Sequence, residues 1–470
     1  MAVRFTLIST LLVFEFVSFA QYSKRDLKIA RETYHTITTT KGFYDDKYLL
    51  ALIDHVGRSL EVHMEEHFHF QYFLVDDPTP NAFATTGGLV YINRGLFLHI
   101  NDEDELAGVM AHELIHITKH HVSKRVSAEV LPNLLQLPAN FLGLLTYKEV
   151  AQVINAPIKA ASGLVTNGFN RTQESEADKH GVELAYRSGY DPYALTRVLK
   201  RLNKHKKKKG KFSTQIFMDH PMTETRIADI ELHLDQMNIE PSEVLSGTSL
   251  QVLDGLCVDQ NPKAGLFNGT QFMHPDLGFS FHLPDGWSVQ NSPVSVTAIS
   301  PDKKSTLVVS VDWENTSPYS AANLDLQQLK KSEIMHSFPD TTNGLLAYRA
   351  TIRDKRVKYS DLISEYLWVK IPSSQAIIKI VGVSNYNTPD SNILESFSSF
   401  RELNTYDKKE IEYPFLDLLL PTEHETFEQF VQRNGLSWQI KIIKNLNELD
   451  YGQLLSKDRW IKTIKFQGID

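Results

Sequence analysis

The chain has 470 residues, with 49 basic and 57 acidic side chains, a formal net charge of −8, and 42% hydrophobic residues. That length points to more than one domain, and that apolar content can build sizeable cores. The mildly negative balance excludes the basic footprint of a nucleic-acid binder, and a single cysteine, Cys257, excludes an internal disulfide.

Residues 1–20 read as a secretory signal. Arg4 supplies the positive end, Phe5 to Phe14 a short apolar run followed by Glu15, and Ser18 and Ala20 the small residues of a cleavage site. The run falls short of the ~20 apolar residues of a membrane span, so an uncleaved anchor is the weaker alternative. Export is expected, with a mature chain from Gln21, and export without disulfides suits a bacterial periplasm. The sequons at Asn170, Asn268 and Asn315 are read as chance.

Asp26 to Ser59 reads as helical, with Leu27, Ala30, Tyr34, Tyr48, Leu49, Ile53 and Val56 on apolar faces. Phe68 to Asp77 alternates like a strand. His63, His67 and His69 beside it are read as a half-exposed strand edge rather than a metal cluster. Asn81 to Asn93 follows as a strand broken at Gly87-Gly88.

The most informative stretch is MAHELIHITKHH, Met110 to His121, which holds the pattern H-E-x-x-H. On a helix, His112 and His116 leave one face a turn apart, so two imidazole nitrogens can reach one Zn²⁺ while Glu113 acts as general base. Acidic residues from Asp102 to Glu105 and basic ones from Lys119 to Arg125 fit a helix running between them. A third ligand further along the same helix fails on register. Lys119 and Val122 stand where a longer pattern needs Gly and His, His121 misses by one, and His120 is a turn too far from His116. The better third ligand is Glu174 in NRTQESEADKHG, four residues from Asp178 on a second helix that stops at Gly189. His112, His116 and Glu174 leave a fourth position open, as catalytic zinc sites do. Asp178 is expected to fix a ligand histidine's tautomer, and Glu176 to be solvated.

HELIH followed by ESEAD resembles the HExxH and ExxAD pair of the CaaX prenyl endopeptidase and HtpX-like zinc metallopeptidase family, most closely its soluble periplasmic BepA/YfgC-like branch. Asn81 to Leu96 resembles the family's strand and turn ahead of the zinc helix. Gly189 to Pro192 resembles the turn after the second zinc helix, and Asp219 to Arg226 its HPxxxxR segment. The resemblance covers about Asp26 to Met237. It implies an exported endopeptidase with one Zn²⁺, acting on extended or misfolded envelope polypeptides or membrane-assembly intermediates. It also implies that the strand bordering the cleft pairs with substrate backbone. His220 is implied to lie beside the metal, either stabilising an oxyanion or closing the open zinc position, with Arg226 supporting the site through a carboxylate.

Further along, the apolar Leu131 to Leu145, broken by Pro132 and Pro138, is read as core or a lid over the cleft, with a membrane-surface contact as the weaker alternative. Asp191-Pro192 starts a helix that ends in the basic run Lys204 to Lys211. Residues 251–270 read as a linker and 271–405 as an α+β domain. In that domain Thr306 to Trp313 and Ala376 to Val383 are strands, Leu324 to Met335 and Ile393 to Phe397 helices, and His274 and His282 structural. Residues 410–470 resemble a degenerate LysM module, which implies contact with envelope glycan. The expected fold class is α+β: a mostly helical zincin-type peptidase domain (21–250) with a small sheet, then the smaller α+β domain and the short LysM-like module. The expected location is the periplasm or outer membrane of a Gram-negative bacterium. Two competing readings are a latent envelope chaperone with a closed zinc site and a cell-wall zinc hydrolase.

Overall fold

The computed structural model describes residues 22–66, 68–123, 169–207, 220, 224–240, 250–329, 332–354 and 362–468. The signal segment, the apolar stretch 131–145 and residues 208–211 of the basic run lie outside them. Among the described residues no helix is long and apolar enough to cross a membrane. The architecture is mixed, with helices and several sheets, and fits α+β.

The first unit opens with α1 (Lys24–Thr40), which starts at a reciprocal Ser23–Asp26 capping box. The helix expected through Ser59 is in fact two. Gly42 takes a left-handed φ of 77°, Phe43 bridges to Val75, and Asp46 then caps α2 (Lys47–Glu61). A three-stranded sheet follows, ordered β1 (Gln71–Val75), β3 (Leu89–Asn93), β2 (Ala82–Thr85). β3 is central and buried throughout, parallel to β1 and antiparallel to β2. The Gly87-Gly88 break is a tight turn between β2 and β3, with both glycines at positive φ. β2 is therefore an edge strand, and it packs beside α3 (Glu103–Thr118).

α3 is the centre of this unit and is buried from Asp104 to Ile117. Leu106, Val109, Met110 and Leu114 join Ile53 and Val56 of α2 and Val90 and Ile92 of β3 in one core. α4 (Arg171–Arg187), α5 (Ala194–Lys207) and α6 (Glu224–Gln236) close around it. Two glycines allow that closure. A Cβ on Gly181 of α4 would meet the His112 backbone at 3.1 Å, and one on Gly108 would meet Leu195 at 3.0 Å.

The second unit holds a seven-stranded antiparallel sheet, ordered β10-β11-β12-β13-β9-β8-β7, and a four-stranded one, ordered β14-β6-β5-β4. In chain order the strands are β4 (Leu266–Asn268), β5 (Gln271–His274), β6 (Phe279–His282), β7 (Ser288–Ser292), β8 (Ser295–Ile299), β9 (Thr306–Asp312), β10 (Glu333–Thr342), β11 (Leu345–Asp354), β12 (Leu362–Lys370), β13 (Ile377–Asn385) and β14 (Arg401–Glu402). On one face of the larger sheet, Phe279 and Phe281 of the smaller sheet and Ile393 and Phe397 of α8 (Ser391–Ser399) build a core. On the other, Ala321 and Ala322 of α7 (Pro318–Gln328) build a second. The helix expected from Leu324 to Met335 starts earlier, at the Ser317-Pro318 cap, and ends at Gln328. Glu333 to Met335 already belong to the edge strand β10.

After α9 (Thr405–Glu410), the last unit runs β15 (Glu412–Leu419), α10 (Phe427–Arg433), α11 (Ile440–Asn447), β16 (Ile461–Gly468), with β15 antiparallel to β16. It has a small core of its own, yet Leu416, Leu418, Leu446 and Ile464 are buried in the first unit's core. Leu253 and Leu256, in the stretch read as a linker, are buried there too. Gly255, Leu256 and Val258 exchange backbone hydrogen bonds with Pro414 and Leu416. The deepest tie is Lys462. Its ammonium donates to the carbonyls of Phe97 at 2.9 Å, Leu98 at 3.3 Å and Ile100, directly before α3. Nearby, buried Arg201 donates to Glu105 of α3 at 2.8 and 2.9 Å and to Glu448 of the last unit at 2.8 Å.

Two predictions follow from these environments. Lys462→Met keeps the side-chain length but strands three carbonyls. It should lower stability by about 1–3 kcal/mol, read as an earlier urea midpoint; an unchanged midpoint would refute the anchor. His274 accepts the Leu277 N–H through Nδ1, and burial lowers its pKa to about 4. The unfolded chain therefore binds an extra proton between about pH 6.5 and pH 4, and the stability from neutral His274 is lost as pH falls through that window. His274→Asn, which retains an acceptor, should flatten the dependence of the melting temperature on pH over that window relative to wild type.

Candidate metal centre

α3 starts at Asp102, whose carboxylate accepts the Glu105 N–H at 2.8 Å, and carries His112, Glu113 and His116 into the interior. α4 starts at an Asn170–Gln173 capping box and points Glu174 and Asp178 at the two histidines. His220 enters just ahead of α6, and Arg226 sits on α6 itself. All seven side chains are buried.

Four of them face one point. One ligand atom from each of His112, His116, Glu174 and His220 lies within 4.8 Å of the others. His112 Nε2 is 3.0 Å from His116 Nε2 and 3.2 Å from His220 Nδ1. Glu174 Oε1 is 2.8 Å from His220 Nδ1 and 3.5 Å from His116 Nε2, and its Oε2 is 3.9 Å from His112 Nε2. A tetrahedron of nitrogen and oxygen ligands around Zn²⁺ has edges of ~3.3 Å. The residues therefore fit a tetrahedral metal in donor type and in spacing.

The surroundings set the protonation of these groups. Asp178 Oδ1 lies 3.0 Å from His112 Nδ1, a carboxylate position that favours the proton on Nδ1 and leaves the Nε2 lone pair on the cluster side. Arg226 forks onto Asp178 at 2.7 and 2.8 Å and reaches Glu174 Oε2 at 2.6 Å. Burial alone would raise Asp178, but hydrogen bonds from His112 and Arg226 hold its pKa at about 2. Burial pushes the Glu174 carboxyl up to about 7. It pushes both imidazoles down, His116 further under the influence of His112 and His220. Neutral imidazoles are the form that binds a metal. Glu113 Oε1 sits 3.4 Å from His220 Nε2.

His112, Glu113, His116, Glu174, Asp178, His220 and Arg226, expected from the sequence as site residues, thus fall in one place. Three neighbours were not foreseen in their present roles. Phe169 stacks on His116 with centroids 3.9 Å apart. His121, set aside on register, lies with Nδ1 3.0 Å from His116 Nδ1, because the helix expected to run to about Arg125 ends at Thr118. Glu176, read as solvated, is only part exposed and lies 3.1 Å from His121 Nε2. No Gly or Pro marks that early helix end, so no residue pattern signalled it.

Two helices that cross to present buried histidines and a carboxylate to one point are what a metal-dependent hydrolase domain requires. Residues 44–233 match the model of Peptidase family M48. The chain therefore carries a Peptidase family M48 domain. It is 30% identical over 203 residues to the beta-barrel assembly-enhancing protease of Escherichia coli K12, covering 41% of this chain and 40% of that one. It is 29% identical over 172 residues to the mitochondrial metalloendopeptidase OMA1 of Schizosaccharomyces pombe, covering 36% and 48%. Identity to a protease HtpX homolog of Salinibacter ruber is 26% over 210 residues, covering 38% and 72%. The match thus spans about two fifths of the length of the first of these relatives.

Removing one partner of a buried ion pair leaves the other charge uncompensated. Asp178→Ala, which removes the fork on Arg226, leaves it its contact with Glu174 and frees His112 to turn, should cost about 3 kcal/mol of stability in urea unfolding. It should also weaken metal binding by roughly 10–100-fold in chelator competition. Wild-type values in both would remove Asp178 from its supporting role.

Proposed function

We propose that this chain is an exported zinc-dependent metalloendopeptidase that hydrolyses extended or misfolded polypeptides of the bacterial envelope. The observation that carries the reading is the convergence of His112, His116, Glu174 and His220 within 4.8 Å beside the buried Glu113. His112, His116 and Glu174 would hold the ion. When bound, Zn²⁺ would acidify a water and polarise the scissile carbonyl. Glu113 then takes the proton of the attacking water and returns it to the leaving amine. β2, an edge strand of the described sheet beside α3, would present its outer edge to an extended substrate backbone, which gives affinity with little demand on side chains. This fits a zincin-type peptidase domain in a periplasmic or outer-membrane-associated protein of a Gram-negative cell. The β-α-α-β order of the last unit fits a LysM-like module, through which envelope or peptidoglycan contact is part of the proposal.

His220 gives the site its second feature. Its Nδ1 lies 2.8 Å from Glu174 and 3.2 Å from His112, on the ligand side, while its Nε2 faces Glu113. This favours the reading in which His220 fills the fourth position and keeps the enzyme latent, over an oxyanion role. The chaperone reading rests on the same closed geometry. The test is zinc content and cleavage of an unfolded protein by wild type, Glu113→Gln and His220→Ala. Glu113→Gln should retain about one zinc and lose activity by roughly 10²–10⁴-fold, while His220→Ala should cleave faster than wild type. Zinc without cleavage by any of the three would favour the chaperone, and absence of zinc would sink the site.

A further inference from the structure

His116 has the less obvious support of the two α3 histidines. Its Nδ1 does not face a carboxylate but the Nδ1 of His121, at 3.0 Å, with the rings 5.0 Å apart at 70°. His121 is buried to 1% exposure, and its other nitrogen lies 3.1 Å from Glu176 Oε2 on α4.

The backbone is built for this contact. In a continuous helix, residues five apart point ~140° away from each other. Here α3 stops at Thr118, Lys119 caps it, and exposed His120 turns left-handed at φ 56°, which swings His121 back beneath His116. That conformation is disfavoured for a non-glycine residue, so its neighbours must hold it in place.

The hydrogen-bond directions follow from the chemistry of the end group. A carboxylate only accepts, so Glu176 draws the His121 proton to Nε2. His121 Nδ1 is then a bare lone pair and can only accept, from the Nδ1–H of His116. His116 is left with its lone pair on Nε2, the atom 3.0 Å from His112 Nε2 and 3.5 Å from Glu174.

We propose that His121, oriented by Glu176, is the positioning residue that sets the tautomer and ring angle of His116 for metal binding. It is not a fourth or alternative ligand, since neither of its nitrogens faces the cluster. The three acidic residues of ESEAD thereby divide the work. Glu174 faces the metal position, Asp178 holds His112, and Glu176 holds His116 through His121. The inference rests on the metal site proposed above.

The test uses the full mature chain, loaded with zinc or with cobalt(II) as a spectroscopic probe. Wild type, His121→Leu, His121→Asn and His116→Ala are compared in chelator competition and in the cobalt visible spectrum, with circular dichroism as a check on folding. His116→Ala should abolish tight binding. His121→Leu, which removes the acceptor, should weaken zinc roughly 10–100-fold and shift the cobalt bands. His121→Asn can present an amide oxygen to His116 Nδ1–H and should recover most of the affinity and the native spectrum. Full affinity and an unchanged spectrum in His121→Leu would overturn the proposal, as would a loss in His121→Asn equal to that in His121→Leu. A wild-type chain that binds no zinc would instead sink the metal site itself, and this inference with it.

Discussion

The structure depends on how closely α3 and α4 cross. Gly181 brings α4 against the His112 backbone, and only at that separation do Glu174 and Asp178, on the same side of α4, reach the α3 histidines. The crossing buries several ionisable groups in one interior, which is tolerable only when each is paired. Asp178 is well compensated by Arg226 and His112 and stays ionised. Glu174 is less so, and its carboxyl is driven up to about 7. A dication among these atoms favours the carboxylate and the neutral imidazoles together, so the same burial that strains the protein side of the site makes it receptive to metal.

α3 is held at both ends by parts of the chain remote in sequence. Its first turn is gripped by Arg201 on Glu105 and by the Lys462 ammonium on the carbonyls just upstream, so the last unit is fastened to the metal helix. Its last turn is followed by the reversal that seats His121 under His116, against Glu176. A helix restrained at its two ends, and buried along its length, presents its histidines with little freedom. That is the preorganisation a metal site needs, and here it is distributed over three segments of chain.

The chemistry was legible in the sequence where it follows helical spacing. H-E-x-x-H and the Glu174–Asp178 pair can be recognised because residues four apart share a face. The strands read at Thr306 to Trp313 and Ala376 to Val383 were legible from their apolar, β-branched runs and fall on β9 (Thr306–Asp312) and β13 (Ile377–Asn385). What escaped notice depends on long-range contacts. Lys462 in WIKTIKF reads as a solvent-facing lysine on a strand, and only the carbonyls of residues 97 to 100 make it an interior group. Residues 333–335 carry helix-compatible side chains but are recruited as an edge strand by pairing with β11. The strand β15 was hidden by Pro414, which an edge position tolerates. His121 was set aside because it misses the register of a longer ligand pattern by one; the left-handed turn at His120, which brings it under His116, has no sequence marker.

In the proposed reading, latency and catalysis compete for one position. His220 touches the Glu174 carboxylate through one ring nitrogen and approaches Glu113 through the other, so a single side chain spans a metal ligand and the general base. While it stays, His220 stands between Glu113 and the ligand cluster, in the place the attacking water would take. One displacement frees both at once. His112 and His116 are each fixed from behind, by Asp178 and by His121, whereas the two ring nitrogens of His220 face Glu174 and Glu113. Of the three histidines, His220 is therefore the one whose departure leaves the remaining ligand set intact.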